Sequence, residues 1–504
     1  MTHTVRQYTL GLVTLGLSLS FGYSKTMGRP NILLITTDDQ GLQAGCYGDP
    51  LARTPNIDRL AKEGTRFTRG YVTQSSCSPS RSSILTGLYP HQNGHFGLTN
   101  NFSMHDGIKT LPAIMNEAGY RTGLIGKLHV NPTEAFPFQF KEVNSPLLTR
   151  HVRDVNAAAQ KFMDMASDQP FFLMVNYFDP HDPYDDVANQ CDGLPEKPYG
   201  PDDIKPFDFM GVDVPELRQE VAIYYNCVSR ADTGIGMLLE SLEERGLKNN
   251  TLVIFLSDNG PSFTRGKATC YEAGLHVPFI VRFPGVGSAG QVCDALVSSV
   301  DIIPTILEAT EVSCSVDLPG KSLLPFLKEN KHSSRHDLFA EFTAHGIEHY
   351  YPRRSVCNKQ YKLIHNLMPE RSNPWSGIHI VRAMGEDKSL RGPAGHYNAT
   401  LPAFYDDPAH SFGAPSEVIR QSFLTYLNPP EFELYDLEKD PYERTNLSGN
   451  PEYAEILKQL KSQLNAWRAG FQDPFTDAEY MQEFTRRADE MVRKRQRRVP
   501  FKLP

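Results

Sequence analysis

Five short apolar runs, at residues 31–37, 121–125, 170–177, 251–256 and 277–283, constrain the fold more than any other feature of this chain. Each has the length and bounding residues of a buried strand, and helix-like stretches alternate with them through the first two thirds of the sequence. That alternation predicts an α/β domain built on a mixed, mostly parallel sheet flanked by helices. Four of the runs share a further property. Residues 31–37 lead into Asp38-Asp39, residues 121–125 into Gly126-Lys127-Leu128-His129, residues 170–177 into Asp179-Pro180-His181, and residues 251–256 into Ser257-Asp258-Asn259-Gly260. In open α/β sheets, sites form in the crevice outside the carboxyl ends of the strands. The four polar clusters, far apart in sequence, are therefore expected to meet at one edge of one sheet.

Between the strands, residues 215–244 read as a long helix with Gly246 near its end, and residues 301–309 as another with Pro304 near its start. After about residue 340 the texture changes. Residues 368–415 are rich in Pro, Gly, His and Asn, an irregular stretch of a length usually functional or disordered. A strand at 432–437 and a helix at 451–470 follow, which predicts a smaller α+β domain with an antiparallel sheet. The expected boundaries are a leader at 1–25, a catalytic domain at 26–345 and the smaller domain at 346–504. The basic tail, 486–498, reads as a solvated helix.

The leader reading rests on Arg6, the apolar run at 10–21, and the small residues Gly22 and Ser24 behind it. The run is too short to span a membrane. It predicts export to a periplasmic or extracellular space, or to the lysosome in a eukaryote, with no integral membrane segment after cleavage. The eight cysteines are scattered without a CxxC pair, which argues against a zinc ribbon. With 51 Lys and Arg against 59 Asp and Glu, the net charge is −8, so the balance does not suggest a nucleic-acid partner. Any anion site must be built locally.

The clusters suggest how. Adjacent carboxylates at Asp38 and Asp39 repel one another unless a cation lies between them, and Asp258-Asn259 is a second oxygen pair at a second strand end. Carboxylate and carbonyl donors without a thiolate or imidazole set favour Ca2+ or Mg2+ over zinc. Cys77-Ser78-Pro79-Ser80-Arg81 opens a predicted helix ending at Gly87, so Cys77 sits where backbone N–H groups and the helix dipole favour an anion. Arg81 lies one turn along the same face. Lys127 and His129 alternate, and would point to opposite sides if the backbone stayed extended. Lys267 follows Gly266, and His181 sits in a proline-bounded turn. Two ammonium groups, a guanidinium, a metal ion and a helix terminus make a pocket for a compact oxyanion, and sulfuryl or phosphoryl transfer follows as the reaction class.

At these residues the sequence resembles the type I sulfatases of the alkaline-phosphatase superfamily. Cys77-Ser78-Pro79-Ser80-Arg81 with Leu85-Thr86-Gly87 matches the signature C-x-P-x-R…L-T-G, and the resemblance runs from Arg29-Pro30-Asn31 to Asn446-Leu447. It implies that Cys77 is oxidised to formylglycine (3-oxoalanine) by a formylglycine-generating or sulfatase-maturing enzyme. The hydrated aldehyde attacks sulfur, and sulfate then leaves by elimination. It implies that Asp38, Asp39, Asp258, Asn259 and the modified Cys77 hold one Ca2+ ion. Arg81 would steady the modified side chain, Lys127 and Lys267 would bind sulfate, His129 would partner the formylglycine hydroxyl, and His181 would protonate the leaving group.

A narrower resemblance, to the heparan N-sulfatases (sulfamidases), is carried by Ser75-Ser76 before the signature, by His91-Gln92-Asn93-Gly94, by Phe178-Asp179-Pro180-His181, and by two stretches at 351–356 and 361–367. It implies a sulfated amino sugar as substrate, most directly the N-sulfate of glucosamine. The chain departs from that pattern at Lys267, where the pattern has Arg, and in residues 184–212 and 368–415. His345, Glu348, His349 and Arg353 are the candidates for substrate contacts. The alternatives are an O-sulfatase acting on another sulfated polysaccharide, a phosphatase or phosphodiesterase, which the Cys signature and calcium-type ligands disfavour, and an inactive sulfated-glycan binder. The sequence leaves the oligomeric state open.

Overall fold

The computed structural model describes residues 28–142, 150–166, 168–184, 190–213, 215–329, 335–374, 416–494 and 499–503. The predicted leader, most of the 368–415 stretch and the end of the basic tail lie outside them.

Eight strands form the large sheet: β1 (Asn31–Thr37), β2 (Thr65–Tyr71), β3 (Arg121–Gly126), β4 (Phe140–Glu142), β5 (Phe171–Asn176), β6 (Thr251–Ser257), β7 (Phe279–Arg282) and β8 (Gln291–Ser298). Their order is β4-β3-β5-β1-β6-β7-β2-β8. The four runs with polar ends are thus contiguous as β3-β5-β1-β6, and every pairing among them is parallel. Their carboxyl ends open on one edge, as the sequence predicts. β7 runs antiparallel to both neighbours, so its own end, at Pro284-Gly285, points the other way. That explains why the fifth run carries no ligand-type residues.

β1 is buried along its whole length because both faces of the sheet are covered. Ile32 and Leu34 enter one core with Leu252, Ile254 and Leu256 of β6, against Ile84, Ile303 and Ile306 from the helices Cys77–Thr86 and Ile302–Thr310. Leu33 and Ile35 enter the other with Val253 and Phe255, against Phe162, Leu238 and Leu242 from the helices Val152–Met165 and Pro215–Glu244. Each such buried side chain contributes roughly 1.5–3 kcal/mol, so the sheet edge rests on a rigid floor.

Four further strands, β9 (Leu338–Phe342), β10 (Arg353–Cys357), β11 (Tyr361–Asn366) and β12 (Phe432–Asp436), form an antiparallel sheet in the order β12-β11-β10-β9. This sheet begins at Leu338, ahead of residue 346. One face packs on the helix Ala454–Gly470 through Val356, Leu363, Leu434, Leu460, Leu464 and Trp467. The other meets the large domain, where Leu338, Ala340 and Ile364 pack with Tyr71, Leu275 and Val277. Among the described residues, no helix is long and apolar enough to cross a membrane.

Candidate functional site

The edge of the large sheet gathers carboxylates and cations that are all but sealed from solvent. Asp38, Asp39, Asp258, Asn259 and Arg81 are fully buried, and Cys77 is 1% exposed. Backbone bonds tie the strand ends together, with Asp258 N donating to the Thr37 carbonyl and Asp38 N to the Asp179 carbonyl. Asp39 takes a left-handed φ of 65°, an uncommon conformation for a side-chain-bearing residue and of the kind that clusters at functional sites.

Cys77 is the first residue of its helix, and Gly87, at φ 71°, ends it. Its Sγ lies 3.1 Å from Lys267 Nζ and 3.4 Å from Asp38 Oδ1. Lys267 Nζ also donates to both Asp39 oxygens at 2.6 and 2.8 Å. Lys127 Nζ donates to Asp38 Oδ2 at 2.5 Å. Arg81 bridges the second carboxylate pair, its Nε 2.8 Å from Asp258 Oδ2 and another guanidinium nitrogen 3.4 Å from Asp38 Oδ2. Its third nitrogen donates to the Lys127 carbonyl at 3.0 Å. His181, 21% exposed at the side chain, places Nε2 3.7 Å from Asp39 Oδ2 and its Nδ1 2.7 Å from Asp182 Oδ1.

Lys127 and His129 do not point to opposite sides. β3 ends at Gly126, whose φ is 88°, and His129 has φ 52°, so the backbone between them is not extended. His129 feels Lys127, Asp38, Arg81 and Lys267 together.

The electrostatics separate the groups by role. Burial and the Asp38 carboxylate push the Cys77 thiol up, but Lys127 and Lys267 bring it down to about 6. Burial raises Asp38, yet Lys127, His181 and Arg81 hold it well below the usual carboxylate range. Asp39 is pushed up to about 6 by burial against Lys267, and Asp258 up to about 8 by burial and Asp38. Burial lowers His181, but Asp39 keeps it well above the ordinary histidine value. Burial and then Lys127 hold His129 well below it. The two imidazoles are thus shifted in opposite directions.

The donor set fits a hard divalent cation. Three buried carboxylates converge, two of them raised by burial, and Asn259 Oδ1 is buried without a hydrogen-bond partner among the described residues. Ligand atoms of Asp38, Asp39, Cys77 and His181 lie within 4.8 Å of one another. Oxygen donors dominate, as Ca2+ prefers.

Of the candidate substrate contacts, His345 Nδ1 lies 2.9 Å from Ser76 Oγ, at the mouth of the Cys77 helix. Burial, Lys267, His349 and His129 hold it well below the histidine range, which places it against the site. The His349 ring lies 6.1 Å away. Glu348 folds back over Gly346. Arg353 is buried behind the Lys267 loop, with its guanidinium 4.7 Å from the Tyr351 ring and donating to the Ala268 carbonyl at 3.4 Å. Ser76 stands in the sequence as a subgroup mark without its role as the partner of His345, and Arg150 and Arg230 beneath His181 are marked by no local pattern. His91 and Asn93 take structural positions. His91 binds Glu341, through its backbone N at 2.8 Å and its Nδ1 at 3.1 Å, and Asn93 Nδ2 braces Ser82 and Thr86 on the Cys77 helix.

Comparison with known proteins agrees with this geometry. The sulfatase family model matches residues 30–312, and the model of the N-sulphoglucosamine sulphohydrolase C-terminal region matches residues 265–376 and 403–470. N-sulphoglucosamine sulphohydrolase of Homo sapiens is 34% identical over 89% of this chain and 92% of its own length. An ulvan-active sulfatase of Formosa agariphila is 30% identical over 87% of this chain and 80% of its own length. Among solved structures, one in complex with its substrate D-glucosamine-2-N,6-O-disulfate superposes with a TM-score of 0.64 at 21% identity, covering 88% of this chain and 99% of that one. The phosphonate monoester hydrolase of Agrobacterium radiobacter superposes with a TM-score of 0.63 at 19% identity, over 88% and 96%. The large mixed sheet, the antiparallel second sheet and the signature around Cys77 therefore have one common source, and the chain belongs to the sulfatase family of the alkaline-phosphatase superfamily.

Proposed function

We propose that this enzyme is an exported hydrolase that removes the N-sulfate of glucosamine from a glycosaminoglycan of the heparan type, using a formylglycine made from Cys77 and one bound Ca2+. The observation that carries the substrate is the 34% identity to the human N-sulphoglucosamine sulphohydrolase across nearly both chains, joined by the C-terminal family match. Export rests on the pattern of the first residues, and the oxidation of Cys77 needs a maturation enzyme as partner.

Asp38, Asp39, Asp258 and Asn259 would hold the calcium, with the residue at position 77 as a further ligand. Calcium there would place positive charge beside the sulfuryl oxygens. The Sγ of Cys77 marks where the hydrate oxygens of formylglycine would stand, and that hydrate supplies both a nucleophilic oxygen and a second hydroxyl for release of sulfate. Lys127 and Lys267 flank the Sγ position and would hold the sulfuryl oxygens. Arg81, locked between Asp258 and Asp38, fixes the helix terminus. His129, kept neutral, accepts a proton from the residue-77 hydroxyl. Cleaving a sulfamate expels an amine whose anion is far too basic to leave, so a proton must reach that nitrogen. His181 Nε2, at the partly exposed rim, is placed to give it.

The test is a substrate panel. Purified enzyme, with formylglycine verified by mass spectrometry of the peptide around Cys77, is assayed on N-sulfoglucosamine and on glucosamine 6-O-sulfate. Sulfate release from N-sulfoglucosamine is expected. Release from the 6-O-ester alone overturns the N-sulfatase assignment. The second reading, an O-sulfatase of another polysaccharide, is favoured by the 30% identity to the ulvan-active sulfatase, and sulfated ulvan fragments form the third arm.

A further inference from the structure

The turn that carries His181 is pinned from below by three charged residues that take no part in binding the anion. Asp179 is 1% exposed, Arg150 1% and Arg230 fully buried. Arg230, in the middle of the helix Pro215–Glu244, clamps Asp179 with Nε 2.6 Å from Oδ2 and a second nitrogen 3.0 Å from Oδ1. Arg150, just ahead of the helix Val152–Met165, grips Asp179 Oδ1 with one nitrogen. With another it donates to the carbonyls of His181, at 2.5 Å, and Pro183, at 3.4 Å. Its guanidinium also lies 4.8 Å from the ring of Phe178, and that ring stacks on His181 at 4.7 Å. Both the backbone and one face of His181 are thus set by Arg150. Asp182 takes Nδ1, so Nε2 is the nitrogen turned toward Asp39 and the anion site.

Burying two guanidiniums around one carboxylate costs solvation that an apolar cluster of equal volume avoids, and such clusters yield little net stability. They do fix one geometry. We propose that Arg150, Asp179 and Arg230 are positioning residues for the leaving-group acid, holding His181 Nε2 where it can pass its proton to the departing nitrogen or oxygen as the bond to sulfur breaks. The proposal rests on the hydrolase reading above. It predicts which substrates should suffer when the clamp is loosened. A sugar amine or alkoxide needs the proton, whereas 4-nitrophenolate leaves without one.

The experiment compares unaltered enzyme, Asp179→Asn, Arg150→Lys and His181→Ala, each with verified formylglycine and a measured melting temperature. The substrates are 4-nitrophenyl sulfate and whichever of N-sulfoglucosamine or glucosamine 6-O-sulfate the unaltered enzyme hydrolyses. General-acid catalysis contributes about 10²–10⁴-fold, so kcat on the sugar should fall about 10²-fold in Asp179→Asn and less in Arg150→Lys, which keeps the charge on Asp179. On 4-nitrophenyl sulfate both should stay within about threefold, and adding Asp179→Asn to His181→Ala should cost little more on either substrate. Equal losses on the two substrates, or further loss in the His181→Ala background, overturn the positioning role. If Asp179→Asn does not fold, the same contrast in Arg150→Lys decides. A failed N-sulfatase assignment shows instead as the wrong sugar being hydrolysed by unaltered enzyme.

Discussion

At the carboxyl edge of the large sheet, Asp38, Asp39 and Asp258 are buried with Arg81 and Lys267, and the half-buried Lys127 reaches in from the rim. Beneath the small sheet, Glu341 and Asp473 are buried with Arg354 and Arg468. The residue types match, but the outcomes differ. Arg354 meets Asp473 through two nitrogens at 2.9 Å each, and Arg468 Nε adds a third contact at 2.7 Å. Although burial raises Asp473, Arg354, His91 and Arg468 hold it well below the carboxylate range. In the sheet-edge cluster burial pushes two carboxylates up to about 6 and 8, and Asn259 Oδ1 has no hydrogen-bond partner among the described residues. A closed set of ion pairs serves the fold. A set whose carboxylates are raised by burial, beside a carbonyl oxygen unpartnered among the described residues, is poised for something that arrives later.

The comparison should break most sharply at Cys77. Cys77→Ala is expected to lower kcat by about 10⁶-fold, as loss of a nucleophile does elsewhere, with the thermal melt little changed. An unmodified thiol preparation should be equally inactive, and full activity with an intact thiol would refute the mechanism. The second cluster should show the reverse. Asp473→Asn leaves Arg354 and Arg468 short of a buried partner, so stability should fall by roughly 3–5 kcal/mol, while kcat per folded molecule holds. Its pH dependence follows from the sign of the shift. The folded pKa lies below the ordinary 3.8, so the stabilisation is complete above that value and is lost as pH falls through the lowered one. Acid unfolding curves below about pH 4 should therefore be flatter in Asp473→Asn than in the unaltered protein.

Calcium removal sharpens the contrast at smaller scale. Chelation should abolish turnover and lower stability by about 2.7 kcal/mol where free Ca2+ had stood at a hundred times its Kd, read as a fall in melting temperature. Readdition of Ca2+ should restore both, and a chelator without effect would remove the metal from the proposal. The smallest effect is expected for Lys267→Arg. The positive charge survives but a fork replaces a point charge, so kcat/KM should change by less than about tenfold, against about 10²–10³-fold for Lys267→Ala.

The sheet edge was legible because four buried strands each carry their polar residues just past the last apolar one, a pattern that needs no partner to be seen. The parallel alignment of β3, β5, β1 and β6 then brings Asp38, Lys127, His181 and Asp258 together. β2, β4 and β8 were not legible. Residues 65–71 place half-buried Arg66, Thr68 and Arg69 among the buried positions, and β4 is three residues long. Nor was the clamp beneath His181, since Arg150 and Arg230 meet Asp179 only through tertiary packing. The stretch at 91–94 was legible as a subgroup mark but not for its role, which is to brace the Cys77 helix against the second domain rather than to touch substrate.

β1 lies between β5 and β6, whose pairing residues are about 140 and 220 positions downstream. The first strand off the ribosome is therefore among the last to be locked. Until residue 176 is in place this seven-residue strand has no native neighbour, and until residue 257 one of its edges stays open; long-range closure of this kind is slow and prone to misassociation. Yield in a foreign host should depend on what shields this strand during synthesis and transit, and cooling or slowing elongation should raise the soluble fraction more than stabilising the finished core.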